Sequence, residues 1–362
     1  FGYYSMSDYR KTELYDSHQS LKAKLVPFSG FWMPLQYSSI TKEHHHVRSK
    51  CGVFDVSHMG EFIVSGENAK TFLQNVTTND ISNLEIGKVQ YSAFCNESGG
   101  VIDDLLVYHL GDYYMLVVNA SNIEKNFDWL SSQLIDDVSL EDQSGTISLL
   151  ALQGPLSRLY LKKLYPNIEK LKYYETLLPD NDEVIVARTG YSGELGFEIY
   201  APNTIILKLW NEILSLSDDI LPVGLGCRDS LRLEMGYCLY GNELNEQTTT
   251  IEAGLSWITK HETSFIGSNA MQNNLPSKKL IALISEERAI PRSGYKLFSK
   301  DEKEVGVVTS GGMSPCLKKG IALAYVDYDM RLEKEFLIGI RDNFFIFEKT
   351  KLPFYKNGTY LK

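Results

Sequence analysis

Hydrophobic residues recur along this chain with two periods, and the switches between them divide it into strands and helices. Residues 12–37 combine an amphipathic, helix-like piece with a loop over 27–34. Residues 41–50 read as a polar helix, 51–56 as a strand running into a turn at 57–60, 61–65 as a strand, and 68–76 as a helix. The clearest local signal is a hairpin: a strand over 89–96, a turn at Glu97-Ser98-Gly99-Gly100, and a return strand over 101–110. Further strands are predicted over 113–118, 147–152, 184–189 and 197–200, and further helices over 123–134, 205–216 and 229–235. From Lys279 onward strands punctuated by Gly and Pro predominate, which predicts a separate β-domain. The pattern as a whole predicts an α+β fold.

Length and composition narrow the class. At 362 residues the chain exceeds one comfortable core, which favours two or three domains. No apolar run approaches the ~18–20 residues that a membrane helix needs. Residues 1–8 hold no basic segment followed by an apolar one, so no secretory signal is read there, and Met6 is a candidate start. The five cysteines are odd in number and form no Cys-x-x-Cys pair, which fits free thiols in a reducing compartment rather than a zinc knuckle or disulfide scaffold. A net charge of −10 opposes general nucleic-acid binding. A soluble, intracellular, multidomain protein is the expectation.

Three segments could carry chemistry. The return strand holds Asp103 and Asp104 inside the apolar run Val101-Ile102-Asp103-Asp104-Leu105-Leu106-Val107. Side chains alternate across a strand, so the two aspartates point to opposite faces. Both faces are otherwise apolar, so at least one carboxylate meets buried surface and must be paired or hydrogen-bonded. Periodicity does not say which one, and a carboxylate that merely accepts turn amides is the plainer alternative. The second segment, residues 188–198, has three glycines that permit tight turns and close approach to a ligand, with Glu198 in the strand that follows. Taken alone, Glu198 reads as a surface carboxylate. The third, residues 228–234, places Arg228 and Arg232 on one helical face, for which a solvated salt-bridge stripe is the default reading.

Other candidates are weaker. His44-His45-His46 cannot converge on one ion, because neighbouring helical side chains diverge by about 100°; the run is read as a solvated polar face. His58 reads as a structural hydrogen-bonding residue. No metal-ligand spacing, dinucleotide fingerprint or nucleophile elbow is present.

Taken in order, seven segments resemble the aminomethyltransferase (T protein) family of the glycine cleavage system. They are PFSGFWMPLQY (27–37), CGVFDVSHMGE (51–61), NESGGVIDDL (96–105), ALQGP (151–155), TGYSGELGFEIY (189–200), GCRDSLRLEMGYCLYGNEL (226–244) and GVVTSGGMSPCLKKGIALAYV (306–326). Each is weak alone, but the ordered set is specific. The resemblance implies a three-domain cloverleaf around a central folate site: residues 1–58 with 145–253, residues 59–144 with 254–278 (folate-binding), and a β-barrel-like domain over 279–362. It implies transfer of the one-carbon unit of an aminomethyl-dihydrolipoyl carrier, the lipoylated H protein, to tetrahydrofolate, with release of ammonia. No metal is implied.

By the same resemblance Asp104 is the catalytic aspartate, orienting folate's anilino nitrogen and favouring the positive charge that develops as ammonia leaves. Glu198, rather than Glu194, is the carboxylate that accepts the pterin's paired N–H donors. Arg228 contacts folate, and Tyr91, Asn119, Tyr191 and Met59 line its pocket. The tail over 353–360 aligns in more than one way, so no contact is assigned to it. Two other roles use this scaffold: a folate-dependent demethylase and an iron–sulfur assembly factor. The latter has a Lys-Gly-Cys-Tyr-type motif, whereas Cys238 here lies in Met-Gly-Tyr-Cys. The expected location is the cytoplasm for a bacterial source, which is preferred, or the mitochondrial matrix for a eukaryotic one.

Overall fold

The computed structural model describes residues 9–177 and 184–362, so the expectations for residues 1–8 lie outside the described residues. Four sheets organise the described residues. A six-stranded sheet has the order Thr176–Leu177, Ile185–Ala187, Gly196–Pro202, Ile147–Gln153, Cys51–Asp55, Ile220–Pro222. A five-stranded sheet, drawn from the sequence between them, runs Val89–Cys95, Val101–His109, Tyr113–Val118, Gly60–Ser65, Ser139–Asp142. Strands between Lys278 and Thr350 close into a six-stranded barrel. A three-stranded sheet near the N-terminus completes the set.

That small sheet corrects one expectation. Residues 27–34 are a hairpin rather than a loop: Lys24–Phe28 pairs with Phe31–Gln36 through a two-residue turn at Ser29 and Gly30. Both turn residues have positive φ, 46° and 82°, as the turn that matches strand twist requires. Pro34 is tolerated because the short strand Arg10–Lys11 pairs only with Phe31 and Trp32 and ends before it.

The apolar strands are covered on both faces. In Val101–His109, Leu105 and Val107 pack under the helices Ala69–Val76 and Ile123–Ser132, among Phe72, Leu73 and Leu130. Leu106 and Tyr108, of opposite parity, meet Phe54, Leu149 and Tyr200 of the six-stranded sheet. The barrel behaves alike: Ile281 and Leu283 point into its core, while Leu280 and Ala282 face Leu233 and Phe354 outside it. Two-sided burial explains why these strands read as nearly continuous apolar runs.

The helix Leu225–Met235 ties these layers together, and it is not a solvated stripe. It ends in a Schellman motif, with Gly236 at φ 72° and bonds from Tyr237 N to Arg232 O (3.0 Å) and Gly236 N to Leu233 O (2.9 Å). Arg232 is buried, paired with Asp229 (2.8 Å) and Glu243 (3.1 Å), and donates to Ser310 of the barrel (2.9 Å). Glu234 is also buried and accepts from Arg48 (2.9 Å) and His44 (3.0 Å) of the helix Ile40–Ser49 and from Ser314 (2.5 Å). Burial alone would raise the Glu234 carboxyl, but His44, Ser314 and Arg48 together bring it down to about 2. The same contacts overturn the reading of His44 as solvated; of the three histidines, His45 is exposed and His46 half-buried, its Nε2 2.9 Å from Asp219 O. An i, i+4 pattern fixes which residues share a face but not whether a neighbour covers it.

Candidate functional site

A cavity of about 1730 Å³ opens where the sheets, the helix Leu225–Met235 and the barrel meet. Its lining includes all seven residues singled out above: Met59, Tyr91, Asp104, Asn119, Tyr191, Glu198 and Arg228. They come from the five-stranded sheet and its edges, the glycine-rich segment and the start of the helix, so no local stretch of sequence contains the site.

Strand alternation separates the two aspartates as expected. Asp104 shares the face of Leu106 and reaches the cavity, where it accepts from Tyr91 Oη (2.8 Å) and Asn119 Nδ2 (2.9 Å). Burial pushes its carboxyl above the ordinary value, and those two hydrogen bonds offset part of that rise. Asp103 points the other way and is fully buried beneath Asn119, Asn122 and Asn126. The Tyr91 hydroxyl beside Asp104 is raised well above its usual range by burial and by that carboxylate, so it stays a donor.

The glycine-rich segment wraps one side chain. Gln153 donates to Thr189 O (3.2 Å) and accepts from Ser192 Oγ (2.6 Å). A Cβ at Gly190 or Gly196 would lie 2.1 or 2.2 Å from that side chain, which is why both positions lack one. This clamp sets the start of the strand Gly196–Pro202 and therefore Glu198, whose Oε2 accepts from Thr189 Oγ1 (2.6 Å). Glu198 is only 6% exposed, a correction to its reading as a surface carboxylate. Glu194, four residues earlier, is turned to Arg48 (2.9 Å) and Thr359 (2.5 Å) and does not line the cavity. Arg228 lies over the Tyr191 ring at 4.8 Å, and the attraction of Glu198 offsets part of the lowering that burial imposes on its guanidinium.

His58 also departs from expectation. Its Nδ1 has no hydrogen-bond partner among the described residues, and the ring is held edge-on by Phe28 and Phe31 (centroids 5.5 and 6.4 Å). Burial lowers it to about 4, so it stands neutral at the cavity wall. Sequence reasoning missed Trp257, 5.8 Å from the Tyr91 ring, and Tyr237, stacked on Tyr191 at 5.7 Å. It also left open the tail, where Tyr360 reaches the cavity and donates its backbone N to Gly193 O (3.3 Å). Tyr237 lay within a quoted motif, but no local signal marks Trp257 or the tail register. Away from the cavity, the ligand atoms of His44, Glu234 and Cys316 lie within 4.8 Å of one another. The Arg48 guanidinium already supplies a cation to Glu234 there.

Residues 14–263 match the family described as GCVT N-terminal domain, and residues 278–356 match the glycine cleavage T-protein C-terminal barrel domain. An aminomethyltransferase of Halothermothrix orenii is 44% identical, covering 95% of this chain and 99% of its own. One of Chloroherpeton thalassium is 46% identical, covering 95% and 98%. The crystal structure of glycine cleavage system aminomethyltransferase T from Bartonella henselae superposes with a TM-score of 0.92 at 34% identity, covering 98% of this chain and 99% of that one.

Proposed function

The chain belongs to the aminomethyltransferase (T protein) family of the glycine cleavage system, and on that premise we propose that it transfers the one-carbon unit of an aminomethyl-dihydrolipoyl carrier, the lipoylated H protein, to tetrahydrofolate and releases ammonia. The observation that carries this reading is one cavity that gathers two buried-edge carboxylates from different sheets, Asp104 and Glu198, with Arg228 beside the second. Glu198, its Oε2 already oriented by Thr189, offers its remaining lone pairs to the pterin's paired N–H donors. Asp104, fixed by Tyr91 and Asn119, orients the anilino nitrogen and stabilises positive charge as ammonia departs. Both of its partners are neutral donors, so its negative charge is left for the reaction. Tyr191, Trp257 and Met59 supply apolar surface for the rings.

The cavity exceeds the ~300–1,000 Å³ typical of a single small-molecule site, which leaves room for the carrier's lipoyl arm beside folate. Arg331, Lys349 and Lys351 on its lining suit an acidic carrier and a folate tail. Cys238 is buried with its thiol pushed well above the ordinary value, which weighs against a functional thiolate and hence against the assembly-factor role.

The division into residues 1–58 with 145–253, 59–144 with 254–278, and 279–362 is part of the same reading, supported by the strand membership of each sheet. No helix of the described residues is long and apolar enough to cross a membrane, and the bacterial sources of the relatives support a cytoplasmic location. The decisive experiment measures ammonia released from aminomethylated carrier with and without tetrahydrofolate. Release that needs both folate and this protein is expected; folate binding without release would refute the transferase reading.

A further inference from the structure

Asp103 is a fully buried carboxylate that no cation neutralises in its hydrogen-bond set. It accepts from Asn119 N (3.1 Å), Asn119 Nδ2 (2.8 Å), Asn122 Nδ2 (2.7 Å) and Asn126 Nδ2 (2.5 Å). All four donors belong to one short stretch, from the end of the strand Tyr113–Val118 into the helix Ile123–Ser132. Burial and the neighbouring Asp104 both push its carboxyl up, so holding a charge here is costly.

Asn119 explains what that cost accomplishes. Its Nδ2 carries two hydrogens, and two carboxylates lie within reach: Asp103 Oδ1 at 2.8 Å and Asp104 Oδ1 at 2.9 Å. One amide therefore bridges the buried aspartate and the one at the cavity. A flipped amide would place its carbonyl oxygen between two carboxylate oxygens, which repulsion forbids. Asp103 also grips the Asn119 backbone N–H. With both amide hydrogens engaged, the only atom Asn119 can offer the cavity is its carbonyl oxygen, an acceptor for a ligand N–H.

We infer that Asp103 is a positioning residue for the transfer reaction: with Asn122 and Asn126 it locks the Asn119 amide so that this amide holds Asp104 and presents only an acceptor to the substrate. This rests on the reading of Asp104 given above. Replacing Asp103 by Asn would set an NH2 group against the amide donors and free the Asn119 side chain, while Glu198 and Arg228 would be untouched.

The test is a double-mutant cycle on carrier-dependent ammonia release, with tetrahydrofolate affinity measured on the same proteins. Asp103→Asn should lower kcat by ~10-fold or more, a larger factor than that by which it weakens the folate Kd through the freed Asn119, and it should add no further loss in an Asp104→Asn background, as expected of residues that act as one unit. Asn122→Ala, which removes one donor and leaves the carboxylate, should repeat this pattern more weakly and serves if Asp103→Asn does not fold. A full rate in both variants, or losses that multiply with that of Asp104→Asn, would overturn the inference alone. An unimpaired Asp104→Asn enzyme would overturn the reading of Asp104 and this inference with it.

Discussion

Replacing Glu198 by Gln tests the folate-recognition geometry most directly. The side chain is 6% exposed, and its Oε2 accepts from Thr189 at 2.6 Å, so one oxygen faces protein and the rest of the carboxylate faces the cavity. Gln keeps the shape but carries one oxygen and one NH2 group. If the oxygen stays with Thr189, the NH2 opposes the pterin's N–H edge; if it turns, the Thr189 hydroxyl loses its acceptor. Either way at least one charge-assisted bond is lost, worth ~1.5–3 kcal/mol, and a donor faces a donor. Arg228 also loses the nearby negative charge that offsets its burial. A net loss of about 3 kcal/mol corresponds to a ~150-fold weaker Kd. Calorimetric titration of the reduced protein with tetrahydrofolate reads this directly, with the unfolding midpoint as a control for integrity. A Kd within twofold of the parent, in a protein of unchanged midpoint, would refute the assignment. Glu194 could not then take its place without abandoning Arg48 and Thr359.

Asp104→Asn should reduce kcat by at least ~100-fold through lost charge stabilisation while folate still binds; steady-state ammonia release checks it, and an undiminished rate would remove Asp104 from the mechanism. Glu234→Gln leaves Arg48 with Glu194 as its remaining carboxylate partner and should cost about 3 kcal/mol, or ~4 °C in unfolding midpoint for a chain of this length. Because the folded-state value of Glu234 is depressed to about 2 from an ordinary 4.5, its contribution is complete above pH 4.5 and is lost as pH falls through 2. The midpoint gap between parent and variant should therefore narrow across that range, and a constant gap would contradict it. Lys349→Glu combined with Lys351→Glu should raise the KM for the carrier several-fold, most strongly at low ionic strength; kinetics indifferent to salt and charge would move the docking face elsewhere.

Legibility in the sequence followed the range of the interactions. The hairpin over 89–110 was visible because alternation and a Gly-Gly turn are local, and the opposite facing of Asp103 and Asp104 followed from the same alternation. The hairpin at 24–36 was obscured because Pro27 and Pro34 argue against strands until the end of the neighbouring strand is known. Glu198 looked superficial for a similar reason: nothing within a few residues reveals that Thr189 and Arg228 lie beside it.

The sequence by itself determined the element types outside the hairpin at 24–36, the β-rich character of the C-terminal part and, through its ordered motifs, the family. Those depend on side-chain period and turn chemistry, which act between near neighbours. Only the tertiary structure decided that Glu198 is buried, that the helix Leu225–Met235 is a buried joint, and that Tyr360 reaches the cavity wall. Each of those depends on what a distant segment covers, and burial is a property of the packed chain rather than of any stretch within it.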